Sequence, residues 1–161
     1  MLGFMLRTLA ELSGEEWRIR TAGTHVTEGS AISGRTREAL VKIEELGDHR
    51  YGAHRSHQLS DDDCDWADVI LAAEAANVRF VRTTFASGAD KSVQLAQFDR
   101  YAPNGESFTA QLHAALAHEP SVEFDVKDPA GGDQSTYDDC ARQLWNLAQA
   151  FALIVSDERL D

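Results

Sequence analysis

Leu2, Met5, Leu6, Leu9 and Leu12 recur at three- and four-residue spacing, which predicts a helix over residues 1–13. No capping residue stands before its apolar first turn, an unusual start for a helix. The pattern then changes period. Trp17-Arg-Ile-Arg-Thr21 alternates apolar and charged positions, as a strand does, and Ala22-Gly23-Thr24 follows as a turn. A second helix is expected over 35–46, with Ala39, Leu40, Ile43 and Leu46 on its inner face and Gly47 closing it. Residues 51–59 read as a loop. Ser60 is a good N-cap for the segment that follows, and Asp61, Asp62 and Asp63 suit its first turn. Residues 68–73 form a short apolar run expected to be a buried strand, with a helix from Glu74 to about Phe80. Residues 92–98 read as a further strand. Pro103, Asn104 and Gly105 mark a break, and 108–118 has helical spacing, so 99–121 is expected to be a surface insertion. The last helix runs from about 135 to 156, with Leu144, Leu147, Ala148, Phe151, Ile154 and Val155 facing the core.

Helices and strands therefore alternate along the chain, which predicts an α/β fold with a parallel sheet joined by right-handed crossovers. With no linker, repeat or low-complexity tract, residues 1–161 are expected to form one domain. The helical start departs from a doubly wound fold, which opens on a strand and a ligand-binding turn.

Composition narrows the function. The 161 residues are 43% hydrophobic and 8% aromatic, as expected of a folded core rather than disorder. Fifteen basic residues against 27 acidic ones give a net charge of −12. That balance opposes nucleic acid or an anionic membrane as partner, because both are bound through basic surface. A phosphate remains compatible, since backbone N–H groups can hold it against an adverse net charge. Cys64 and Cys140 are too few for a disulfide framework and read as buried thiols. No apolar run approaches a membrane span. With no secretory leader pattern, a cytoplasmic location is the default expectation. His49, His54 and His57 near Asp61–Asp63 and Asp65 do not have the spacing of a compact metal site and read as solvated loop charges. No dinucleotide fingerprint or Walker motif is present, so no cofactor is expected.

The segment with the most chemical content is Val122-Glu-Phe-Asp-Val-Lys-Asp128-Pro129-Ala-Gly-Gly132. The proline biases Asp128 toward extended geometry, and the glycines permit unusual dihedrals. Asp128 thus stands on a turn, either as a simple turn residue or as a general acid.

Four stretches together resemble the low-molecular-weight protein tyrosine phosphatases. Trp17-Arg-Ile-Arg-Thr-Ala-Gly-Thr24 is similar to that family's second strand and turn, and His54-Arg-Ser-His-Gln-Leu59 to the loop before its third strand. Ala67-Asp-Val-Ile-Leu-Ala-Ala-Glu74, with Asn77, resembles the third strand and its exit. Val126-Lys-Asp128-Pro129, with Tyr137 and the final helix, resembles the general-acid loop. The resemblance implies a Rossmann-like three-layer sandwich with a small, mainly parallel sheet flanked by helices. It also implies hydrolysis of a phosphomonoester through a phosphocysteine.

In that chemistry a thiolate of depressed pKa attacks phosphorus, an arginine pairs with the phosphoryl oxygens, and an acid protonates the leaving group. Asp128 matches the acid. Thr21 and His54 match positions that support the phosphate loop, although a strand-end threonine and a loop histidine explain the same residues. Glu74 stands where the family usually has aspartate; it and Asn77 read as structural. The cysteine, five residues and arginine that define the family are absent: six positions after Cys64 and Cys140 stand Ile70 and Asn146. Residues 1–7 resemble the helix that follows the phosphate loop. The expectation is a chain starting just past that loop, lacking the central first strand and the nucleophile, and inactive as written. Ala130 and Gly131 also replace the aromatic residues that usually follow Asp-Pro, which weakens the case for phosphotyrosine itself.

Three functions follow as expectations. The first is a phosphatase whose start is misplaced, acting on a phosphorylated protein or small phosphomonoester once completed. The second is a non-catalytic phosphatase-like binding or scaffold protein. Arsenate reduction ranks last, because residues 74–90 supply no additional cysteine. A sheet lacking its central strand would leave ladder groups unpaired at about 1–3 kcal/mol each, so poor monomer solubility or self-association is expected.

Overall fold

The computed structural model describes residues 1–47, 49–103 and 105–156. The fold is α/β and rich in helix, with a small parallel sheet. In chain order it comprises α1 (Leu2–Ser13), α2 (Gly34–Val41), α3 (Asp61–Trp66), β1 (Ile70–Ala72) and α4 (Ala75–Thr84). β2 (Ser92–Gln94), α5 (Leu95–Tyr101), α6 (Phe108–Leu116) and α7 (Gln134–Ser156) follow. The chain divides into two compact units. Among the described residues, those in 1–58 and 127–149 make one, and those in 59–126 and 150–156 the other.

In the first unit, α1 buries Gly3, Met5, Leu6, Thr8 and Ala10. This face is rotated from the expected one, and Leu12 is 72% exposed. The small residues Gly3, Thr8 and Ala10 let neighbouring chain approach closely, a preference that a count of large apolar residues misses. Gly14 ends α1 in the left-handed conformation (φ 71°), and its amide bonds the carbonyls of Ala10 and Glu11. The strand expected at 17–21 is not in a ladder. Its side chains still alternate between half-buried and exposed, so the sequence pattern is real, but a strand also needs a pairing neighbour. The helix expected over 35–46 stops at Val41. Ile43 is extended, and Glu44–Leu46 forms a 3₁₀ turn that packs against α1 and buries Leu46. The apolar spacing records that Leu46 is buried, not the path that takes it inside. Residues 23–31 and 55–58 are zipped together: Gly23 pairs with Gln58 and Ala31 with Arg55. The Gln58 side chain accepts from the Val26 amide and donates to the Thr24 carbonyl. Lys42 pairs with Asp138 at 2.6 Å, joining α2 to α7.

In the second unit, β1 and β2 run parallel with Ile70, Leu71 and Ala72 opposite Ser92, Val93 and Gln94. α4 supplies the crossover and continues to Thr84, one turn beyond the expected end. α3 opens on the N-cap expected at Ser60, which forms a full capping box: its hydroxyl accepts from the Asp63 amide, and the Asp63 carboxylate accepts from the Ser60 amide. Cys64, Val81 and Phe85 pack with Leu59, Ile70 and Phe80. Both cysteines are free and buried. The second strand ends at Gln94 rather than at 98. Val93 and Leu95, two apart, suit a strand, while Leu95 and Phe98, three apart, suit a helix, and here the latter pair turns inward from α5. Phe98 packs against Phe108 of α6 and Phe151 of α7, at ring separations of 6.2 and 5.1 Å. Asn104, part of the expected break, lies outside the described residues. α7 matches its expected span within one residue. Among the described residues, no helix is long and apolar enough to cross a membrane.

Candidate active site

The loop around Asp128 folds as its residue types dictate. Val126 and Pro129 are buried, while Lys127 and Asp128 are exposed. Asp128 Oδ1 accepts from the Ala130 amide at 2.9 Å, closing an Asx-type turn. The Gly132 amide donates to the Pro129 carbonyl, and Gly131 adopts φ 82°, which an L side chain rarely does. Asp133 then caps α7. Its Oδ1 accepts from the Thr136 amide and from both the Ser135 and Thr136 hydroxyls. Those bonds, the Ser135 hydroxyl first, hold the Asp133 carboxyl below the usual carboxylate range.

Thr21 and His54 both lie against the first turns of α1. A Cβ placed on Gly3 would stand 2.2 Å from Thr21 Cγ2, so the absence of a side chain at residue 3 is what admits Thr21. Arg7, one turn on, donates to the Ile19 carbonyl and holds the approaching segment. The His54 ring meets Phe4 edge-on at 5.9 Å. Partial burial pushes its imidazole below the ordinary histidine value, and the positive charges at Met1, Arg7 and Arg55 push it further down. Phe4 also contacts Tyr51 at 4.8 Å, and Thr8 bonds His49 at 2.6 Å, so α1 is fastened along this side.

Cys140, two turns into α7, connects the remaining pieces. Burial pushes its thiol up, the positive chain start at Met1 pulls it down, and the Asp128 carboxylate pushes it up again. Asp128 and the amino end of α1 thus act on the Cys140 thiol in opposite directions. The three residues singled out from the sequence, Asp128, Thr21 and His54, all lie in the first unit. Thr21 and His54 touch the beginning of α1. Gly3 and Arg7 do not stand out in the sequence in the same way. The signal available for Gly3 is a glycine inside an apolar helical pattern, which marks close approach.

The amino end of α1 has no side-chain cap and no acidic residue in its first turn. Such an end favours an anion. An exposed carboxylate on a turn can deliver or accept a proton, and a neutral imidazole can hold a hydrogen bond. Neither thiol has the character of a nucleophile. Burial pushes Cys64 up, and neighbouring Asp61 and Asp63 push it further; Cys140 is also raised. A reactive thiolate needs the opposite shift. Among the described residues, no three His, Cys, Asp or Glu side chains are grouped to hold a metal ion.

No protein-family model matches the sequence, and no curated protein matches it. Solved structures do match. One is a low-molecular-weight protein tyrosine phosphatase from T. tengcongensis, 23% identical, with 93% of this chain and 86% of that one covered and a TM-score of 0.72. Another is the arginine phosphatase YwlE from Geobacillus stearothermophilus, 25% identical, with 98% and 87% covered and a TM-score of 0.71. A third is a low-molecular-weight phosphotyrosine phosphatase from Vibrio cholerae, 16% identical, with 99% and 89% covered and a TM-score of 0.73. The chain shares the fold of these phosphatases.

Proposed function

We propose that this chain is the scaffold and acid side of a phosphatase that hydrolyses phosphomonoesters through a phosphocysteine. Asp128 is the general acid that protonates the leaving group and then the base that activates water. Thr21 and His54 support the phosphate loop where it enters α1. The observation that supports this reading is that Thr21 and His54, far apart in the chain, both lie against the first turns of α1. Nothing in the local sequence of any one of them requires that arrangement.

The nucleophile and the phosphate-binding arginine have no candidates among the 161 residues, because neither cysteine has an arginine six positions later. The 161-residue chain is therefore proposed to be inactive by itself. Its substrate class in a complete site is a phosphorylated protein or a small phosphomonoester. Ala130 and Gly131 offer an aryl group no surface to stack on, so the proposal does not extend to phosphotyrosine in particular.

The 161-residue chain should show no turnover of p-nitrophenyl phosphate. Joined at its amino end to a segment carrying a cysteine, five residues and an arginine, the protein should turn over. Asp128→Ala in that protein should lower kcat by about 10²–10⁴-fold, the usual worth of a general acid. Robust turnover by the 161 residues alone would overturn the reading. The second reading, a non-catalytic phosphatase-like binding protein, is favoured by the same missing thiol beside a retained Asp128. Failure of the joined protein to turn over would select it.

A further inference from the structure

We propose that Asp125 and Gln94 form a clamp that positions the acid loop, fixing the peptide from which Lys127 and Asp128 depart. The inference rests on Asp128 being the general acid. Gln94 is the last residue of β2 and is wholly buried. Its Oε1 accepts from the Ser121 amide at 2.8 Å, and its Nε2 donates to the Ser121 carbonyl at 3.1 Å. One side-chain amide thus exchanges both bonds with a backbone, as a neighbouring strand would. The same Nε2 donates to Asp125 Oδ1 at 2.9 Å.

Asp125 Oδ1 accepts a second bond, from the Ala75 amide at 2.6 Å. Ala75 is the first residue of α4, and Glu74, at the N-cap position, makes no side-chain cap bond. Asp125 therefore caps α4 from fifty residues away, with its charge at the favourable end of the helix. Val126 follows with its amide bonded to the Ala73 carbonyl at 2.9 Å. Ser121, Asp125 and Val126 are thus tied to the carboxyl ends of both strands, the end at which open parallel sheets place their ligands. Asp128 comes two residues after this anchor and directly before a buried proline that restricts its backbone.

A mere helix cap and a positioning clamp predict different things when the cap is replaced. The test is hydrogen exchange at Val126, Ala130 and Gly132, whose amides are all hydrogen-bonded, compared with exchange in the first turn of α4. Asp125→Ala should speed exchange at both places by about tenfold or more, as local opening becomes easier. Asp125→Asn keeps an oxygen that can accept both bonds and should restore slow exchange. Glu74→Ser added to Asp125→Ala gives α4 a cap of its own. It should slow α4 again while Ala130 and Gly132 stay fast. If Glu74→Ser slows both places, or if Asp125→Ala leaves the loop unchanged, the clamp does not position the loop. Should Asp125→Ala fail to fold, Gln94→Met cuts the ties to Ser121 and Asp125 but leaves the α4 cap. It should speed the loop alone, and an unchanged loop overturns the proposal. No turnover enters this readout, so its failure leaves the Asp128 assignment standing. An Asp128 that proves not to be the acid would equally leave the exchange pattern intact.

Discussion

Gly3 carries more of the candidate site than its size suggests. An alanine there would gain about 1 kcal/mol of helix propensity. Its Cβ, however, would stand 2.2 Å from Thr21 Cγ2, an overpacking that typically costs about 1–3 kcal/mol. Steric cost wins, so Gly3→Ala should lower stability in chemical denaturation. Thr21→Ser removes the offending methyl and keeps the hydroxyl, so the double variant should recover most of the loss. An additive double variant would show that the two residues do not meet in solution. His54 provides a pH signature. Its folded value is lowered, by burial first and then by nearby positive charge. The unfolded chain therefore takes up this proton at a higher pH than the folded chain does. Stability should fall as pH drops through the ordinary histidine value of 6.5 toward the folded value, and level off below it. A proton NMR titration of the His54 ring should give a midpoint below 6.5, and His54→Gln should flatten that part of the stability profile.

Elements with local causes are legible in the sequence alone. The cap at Ser60 and the acids behind it specify α3, and Ser60→Ala should cost about 0.5–2 kcal/mol in denaturation because it strands an N–H group of the first turn. α7 is legible for a similar reason, since its apolar face repeats over many turns. Elements whose causes are distant are not. Residues 93–98 fit a strand and a helix equally well, and burial of Phe98 among Phe108 and Phe151 decides between them. Residues 17–21 alternate as a strand should, but ladder membership depends on a neighbour that periodicity cannot name. The candidate site divides along the same line. Asp128, Thr21 and His54 come to notice through resemblance to a family, because their own residue types are ordinary for a turn, a strand end and a loop. Gly3, Gln94 and Asp125 escape notice because what makes them special is a partner far along the chain.

α7 ties the scales together, because one continuous helix serves both compact units. Its earlier turns, with Cys140, Ala141, Leu144, Trp145 and Ala148 buried, belong to the unit that holds Asp128, Thr21 and His54. Its last two turns belong to the unit that holds the sheet. There Phe151 packs on Phe98, and the Ile154 carbonyl accepts from the buried Gln111 side chain. Replacing Phe151 with alanine should therefore damage the sheet unit first. The expected cost is about 3–5 kcal/mol, a large part of the roughly 5–15 kcal/mol that holds a domain of this size together. Exchange resolved by segment makes the test specific. Phe151→Ala should speed exchange in Ser92–Gln94 and Leu95–Tyr101 before it does so in Leu2–Ser13. Trp145→Ala, a change of similar size earlier in the helix but within the first unit, should reverse that order. If both variants speed exchange everywhere alike, the two units unfold as one cooperative block, and α7 transmits the damage along its length.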